Sequence, residues 1–165
     1  MVASSETQLP LFGPGPLYVS VIAVLTVAAI ALSCFEVVPV VRAEGLSWAL
    51  AAAGILLIAS GVALWVSAVV LARIGDEISE GRLFTDGVYA WVRNPIYSAF
   101  LFICAGALLV AGNLAAAPLV ILYWLFLTVL MTRTEERWLE ERFGEEYREY
   151  CRRVNRCIPA PPRRS

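Results

Sequence analysis

The sequence predicts an all-α integral membrane protein with about four transmembrane helices and, beyond the last of them, a cytoplasmic amphipathic C-terminal helix. Three observations carry that prediction. Of 165 residues, 59% are hydrophobic and 16% charged, where an ordinary soluble domain carries roughly a quarter charged. The apolar residues gather in four runs, 17–34, 47–71, 96–112 and 114–131, of 17 to 25 residues each without Asp, Glu, Lys or Arg. Helices of about this length cross roughly 30 Å of hydrocarbon. The 13 basic residues are all arginines, and nine of them follow Met131. Three more, Arg73, Arg82 and Arg93, lie between the second and third runs, and Arg42 stands alone between the first and second. By the positive-inside rule the tail and the second connection face the cytoplasm, and four spans put both termini there.

The elements follow in order. Residues 1–16 are polar and carry Pro10, Pro14 and Pro16 with Gly13 and Gly15, which reads as a flexible arm. The run 17–34 has no Lys or Arg before it and so lacks the positive region of a secretory signal. Residues 17–71 then form two transmembrane helices, the second rich in small residues such as Gly54, Ala59, Gly61 and Ala63, a composition that lets membrane helices approach closely. Residues 72–95 turn polar, with Gly75, Gly81 and Gly87 at intervals of six. That loop is longer than two adjacent helices need, and long ordered loops are usually functional. Asn94 is a favoured N-cap and Pro95 a favoured first residue, so the pair starts the short third span. No stop signal follows Met131, and the fourth helix is expected to leave the membrane unbroken. Beyond it Leu139, Phe143, Tyr147, Tyr150 and Val154 recur every three or four residues, an apolar stripe that either the membrane surface or the loop before Pro95 must cover. Gly144 is a point at which this helix bends or is interrupted, and Pro159, Pro161 and Pro162 close the segment.

Several chemistries are excluded. The chain has no histidine, P-loop or GxGxxG. Its basic tail is interleaved with seven acids, a poor groove for nucleic acid. Cys34, Cys104, Cys151 and Cys157 lack zinc-like spacing or a disulfide framework and read as small hydrophobes, so no metal is expected. Two polar pieces remain as candidates for chemistry: the loop with Arg93 and Asn94, and the emerging helix with Arg133, Glu135 and Glu136. On periodicity alone these charges equally describe a solvated helix face, and Tyr89, Trp91 and Tyr97 an interfacial aromatic belt.

Residues 87–97 read GVYAWVRNPIY. This stretch resembles the signature of the integral membrane methyltransferases related to isoprenylcysteine carboxyl methyltransferase and the phospholipid methyltransferases, in which Gly-Val-Tyr precedes Arg-His-Pro-x-Tyr. A second family element, an Arg near a Glu-Glu pair followed by Phe-Gly-Glu-Glu-Tyr and a basic Pro-containing end, is matched within residues 133–159. One departure is plain: Asn94 stands where the family has histidine.

The resemblance implies an S-adenosyl-L-methionine site on a helical membrane scaffold, with residues 72–165 as the methyltransferase core. Carried over, Leu83, Gly87, Val88 and Tyr89 line the cofactor pocket, Arg93, Asn94, Pro95 and Tyr97 continue it, and Glu135 and Glu136 meet it from the tail. Arg133 and Glu135 take the catalytic places, with Met131 the other position for the substrate arginine. A cofactor with a sulfonium, a carboxylate, an ammonium and an adenine is matched by carboxylates, an arginine, a helix N-terminus and aromatic walls, all present in these two pieces. The implied partners are a lipophilic or lipidated acceptor and membrane lipid, with the site facing the cytoplasm. The implied acceptor is a carboxylate of the isoprenylcysteine kind, with a thiol or a lipid amine open. A noncatalytic four-helix membrane adaptor would use the same amphipathic tail. A small transporter would be expected to carry an ionisable residue deep in a span, and these runs have none.

Overall fold

In the computed structural model, residues 15–74 and 83–162 are described. Residues 1–14 of the expected arm, and Gly75, Gly81 and Arg82 of the loop, lie outside them. Six helices follow in order: α1 (Gly15–Cys34), α2 (Ser47–Ile74), α3 (Pro95–Ala111), α4 (Ala117–Arg133), α5 (Glu135–Phe143) and α6 (Glu145–Arg153), with 3₁₀ turns at Gly87–Ala90 and Leu114–Ala116. No strand occurs among the described residues, where Val92 and Asn155 make one isolated parallel bridge. The all-α membrane architecture is therefore as expected. Three helical stretches, α1, α2 and the run Leu114–Phe143 that contains α4, are long and apolar enough to cross a membrane, and α3 is apolar but shorter, at 17 residues.

The small residues of α2 fix its packing. A Cβ on Gly106 of α3 would sit 2.6 Å from the Gly54 carbonyl oxygen, and one on Gly61 would sit 2.7 Å from that of Ala99. The two helices thus run antiparallel with their backbones in direct contact, and no side chain fits between them. Dispersion across such a seam, rather than hydrophobicity, holds helices together in lipid. α1 packs on α3 and α4 through the buried Tyr18 and Ile22, which meet Tyr123, Leu127 and Met131. Within this apolar core Thr26 bonds the Ile22 carbonyl at 2.7 Å and the Tyr123 hydroxyl at 3.1 Å. Large apolar residues such as Val24, Val27, Leu56, Ile121 and Leu122 are exposed on the outer faces, as a lipid-facing surface requires.

At one end of the bundle the buried Asn113 ties the two short connections together. Its Oδ1 accepts from the amides of Val41 at 3.0 Å and Ala115 at 3.1 Å, and its Nδ2 donates to Ser33 Oγ at 2.9 Å. Arg42 lies at this end. The start of α1, the segment before α3, α5 and α6 are all at the other end, with the remaining described arginines.

One expectation is corrected and one is met. The fourth helix does not emerge unbroken: Thr134 (φ −124°, ψ −91°) separates α4 from α5, and its hydroxyl bonds back to the Leu130 carbonyl at 2.6 Å, a local competition for the helical ladder. Gly144 (φ 56°, ψ −122°) then separates α5 from α6, so the amphipathic tail is two helices of 9 residues rather than one. The breaks let the tail fold back. Tyr147, Tyr150 and Val154 are buried with Leu83, Leu139 and Phe143, so the loop before α3 shares in covering the apolar stripe.

Candidate active site

The site forms where the segment before α3 meets the folded-back tail. Backbone pairing comes first. The Arg93 and Asn94 amides donate to the carbonyls of Asn155 at 2.8 Å and Arg156 at 3.2 Å, and the Ala160 amide donates to Trp91 at 3.0 Å. The Tyr150 hydroxyl donates to the Tyr89 carbonyl at 2.7 Å. Asn94 precedes α3 as expected, but its side chain makes no cap; its Nδ2 donates to the Arg156 carbonyl at 3.2 Å instead. The residue in the family's histidine position thus braces the tail against the loop.

Charge pairing locks the same junction. Arg156 grips Glu136 with two hydrogen bonds, Nε to Oε1 at 2.7 Å and Nη2 to Oε2 at 2.8 Å. Arg93 Nη1 approaches the same carboxylate at 3.3 Å, both side chains being nearly buried at 9% and 12% exposure. Arg93 also donates to the Cys151 thiol, while its Nε is buried without a partner among the described residues. Glu136 is therefore engaged by two guanidinium groups. Burial pushes the Cys157 thiol nearby up to about 11, partly offset by Arg156, so this thiol is a packed neutral group.

Glu135 is placed differently. It lines two chambers that share a wall of Tyr89, Arg93, Asn94 and Glu135. The first, of about 480 Å³, opens between the starts of α1 and α3 and is otherwise lined by Gly15, Pro16, Val19, Pro95, Ile96 and Tyr97. The second, of about 200 Å³, lies under the tail and is lined by Leu83, Phe84, Trp138, Leu139, Phe143 and Tyr150. The Tyr97 hydroxyl donates to Glu135 Oε1. Burial raises the Glu135 carboxyl above its ordinary value; the Tyr97 bond opposes this and the Glu136 charge beside it adds to it. Burial likewise raises the Tyr89 hydroxyl, helped by Glu135. The ring of Phe84 stands edge-on to that of Tyr89 at 5.3 Å.

Of the residues the sequence singled out, Leu83, Tyr89, Arg93, Asn94, Pro95, Tyr97 and Glu135 line one chamber or both. Gly87 and Val88 form the 3₁₀ turn that leads into the wall and line neither. Glu136 sits behind the wall on its arginines. Arg133 is exposed at the end of α4, and Met131 is fully buried in the bundle core. Phe84, Trp138, Tyr150 and Arg156, together with Gly15, Pro16 and Val19, were not foreseen as site residues. Their involvement depends on where the chain folds back, and only the apolar stripe hinted at part of it.

The geometry can be set beside known proteins. A family model described as phospholipid methyltransferase matches residues 48–146. The chain is 37% identical over 81 residues to a protein-S-isoprenylcysteine O-methyltransferase of Schizosaccharomyces pombe, covering 48% of this chain and 34% of that protein. It is 37% identical over 87 residues to methanethiol S-methyltransferase 1 of Bradyrhizobium diazoefficiens, covering 52% of this chain and 29% of that protein. A protein-S-isoprenylcysteine O-methyltransferase B of Arabidopsis thaliana matches at 34% identity over 79 residues, 47% of this chain and 40% of that protein. The chain thus spans about a third of the length of these relatives. No solved structure matches significantly.

Proposed function

The chain belongs to the phospholipid methyltransferase family, and from that premise we propose that it transfers a methyl group from S-adenosyl-L-methionine to a lipophilic acceptor at the cytoplasmic face of a membrane. The observation that carries the reading is the wall of Tyr89, Arg93, Asn94 and Glu135 common to two chambers of different character. Two reactants held on either side of one wall meet there. Positioning of this kind supplies much of the catalysis in a bimolecular transfer.

The residues fit the cofactor. Aromatic and aliphatic walls from Phe84, Trp138, Leu139 and Tyr150 suit an adenine, the nearly buried Arg93, whose Nε has no partner among the described residues, suits a carboxylate, and Glu135 suits a positive centre. When bound, S-adenosyl-L-methionine supplies an electrophilic methyl group on a sulfonium. Tyr97 orients the Glu135 carboxylate by donating to it, and Glu136 with Arg156 holds Arg93 in place. Where bound reactants displace water from the shared wall, these fixed charges act more strongly than they would in solvent. Residues 72–165 are then the catalytic core and α2 its scaffold, while the start of α1 closes one side of the first chamber.

The relatives' names point to isoprenylcysteine carboxyls and to methanethiol as acceptors of those proteins. For this chain a carboxylate acceptor of the isoprenylcysteine kind is favoured, because it is ionised at neutrality and the site contains no histidine to remove a proton. The test is methyl transfer by purified protein from labelled S-adenosyl-L-methionine to an N-acetyl-S-isoprenylcysteine. A carboxylate acceptor gives a rate nearly flat between about pH 6.5 and 9, whereas a thiol gives a rate climbing about tenfold per unit below its pKa. Absence of transfer to every anionic acceptor would leave the noncatalytic adaptor as the better reading.

A further inference from the structure

α1 lies outside the region matched by the family model, which begins at residue 48. Yet its first turns supply Gly15, Pro16 and Val19 to the first chamber and nothing to the second. We propose that this turn of α1 is the acceptor-selecting wall, with Gly15 and Val19 setting the size of the apolar group the first chamber admits. The inference rests on the methyl-transfer reading and adds to it the element that chooses the acceptor.

Space and rigidity both support it. A Cβ on Gly15 would stand 3.0 Å from the Tyr97 hydroxyl and 3.3 Å from its ring, so even one added carbon presses on the group that donates to Glu135. The wall is also anchored from behind. Tyr18, fully buried, packs edge-on against Tyr97 at 5.9 Å and at a tilt against Phe126 at 5.5 Å, and its hydroxyl reaches the Tyr123 carbonyl at 3.4 Å. Two turns further on, Thr26 bonds the Tyr123 hydroxyl. A helix held to α3 and α4 by buried aromatic and polar contacts cannot slide aside for a larger ligand, and a wall that does not yield discriminates by size. The chamber's chemistry sets the class: Val19, Pro16 and Ile96 face a compact apolar body, while Asn94 and Glu135 meet a small polar head at the shared wall.

The experiment uses a series of N-acetyl-S-alkylcysteines of increasing chain length, up to S-farnesyl, with the wild type, Val19→Trp, Val19→Ala and Gly15→Ala. Turnover is read as kcat/KM, acceptor binding separately as displacement of a fluorescent S-farnesyl probe, and S-adenosylhomocysteine affinity by calorimetry. Val19→Trp is expected to lose about tenfold or more on the longest acceptors relative to the shortest, and Val19→Ala to extend the tolerated length. Gly15→Ala should lower kcat by disturbing Tyr97. S-Adenosylhomocysteine affinity should hold in both Val19 variants. An unchanged length profile in both Val19 variants, in turnover or in probe displacement, overturns the proposal, as does an equal loss on every acceptor together with cofactor affinity. If the wild type binds no S-adenosylhomocysteine, the methyl-transfer reading fails on its own, and probe displacement still decides whether α1 selects by size.

Discussion

Replacing Arg156 with Ala tests the junction on which the site depends. The substitution removes two charge-assisted hydrogen bonds, at 2.7 and 2.8 Å, from a carboxylate only 12% exposed. Hydrogen bonds to charged groups contribute about 1.5–3 kcal/mol, and stripping a partner from a fully buried pair costs about 3–5 kcal/mol. Two features lower the figure. Arg93 remains 3.3 Å from Glu136, and Arg156 itself is 28% exposed. The expected loss is therefore about 2 kcal/mol, below the fully buried range. Unfolding of the detergent-solubilised protein in a denaturant series measures it, with Glu136→Gln and the double variant completing a cycle. The double variant should be less than additive by about 1 kcal/mol or more, since the partners touch. Arg156→Lys should recover only part of the loss, because an ammonium cannot make the two-pronged contact. A loss under about 0.5 kcal/mol, the size of an ordinary surface substitution, or strict additivity in the cycle, would show that the clamp holds nothing.

Three further outcomes are expected. Gly106→Ala should cost about 1–3 kcal/mol, because its Cβ would lie 2.6 Å from the Gly54 carbonyl oxygen and neither backbone can give way; Ala53→Val on an exposed face of α2 is the control, and equal effects would refute direct backbone contact. Glu135→Gln should stabilise the unliganded protein at neutral pH. Burial raises the folded pKa of Glu135, so its stabilising contribution is complete below the ordinary glutamate pKa and is lost as pH rises through the folded value. The variant's advantage should therefore grow upward from about pH 4, and an advantage that is flat or shrinks with pH would contradict the sign. In intact cells, with Cys34→Ser as background because the exposed Cys34 lies at the same end as Arg42, a membrane-impermeant thiol reagent should label Glu44→Cys and not Glu149→Cys on α6; the reverse pattern would put the site on the wrong face for a cytoplasmic cofactor.

Much of the fold could be read because lipid imposes a coarse code. Uninterrupted apolar runs marked α1, α2 and α4, and the small residues of α2 announced a close helix contact, although the partner glycine on α3 could not be chosen from composition. The breaks at Thr134 and Gly144 were only half visible. A glycine in a charged helix is a recognisable weak point, whereas Thr134 looks helix-compatible until its hydroxyl is seen bonded to the Leu130 carbonyl. In the candidate site, the segment 87–97 and the Glu pair stood out as two pieces. Which glutamate faces the chambers did not, since Glu135 and Glu136 are adjacent and differ only in the direction each takes from the start of α5. Arg156 was hidden among nine arginines of the tail, and its role exists only because Val92 and Asn155 pair across the fold. Asn94 looked like an N-cap by local rules. A tertiary acceptor, the Arg156 carbonyl, took its amide instead.

The central claim, that the wall of Tyr89, Arg93, Asn94 and Glu135 is half of a cofactor site, is tested most directly by titrating the purified protein with S-adenosylhomocysteine in a calorimeter. Saturable binding of one ligand per chain is predicted, with folded-state stabilisation of about 2.7 kcal/mol at a hundredfold excess over Kd. Glu135→Gln should weaken binding at least about tenfold, a loss of about 1.4 kcal/mol, while Glu149→Gln on the exposed face of α6 leaves it unchanged. Folded wild-type protein that takes up no S-adenosylhomocysteine, or a Glu135→Gln variant that binds it as tightly as the wild type, would contradict the assignment.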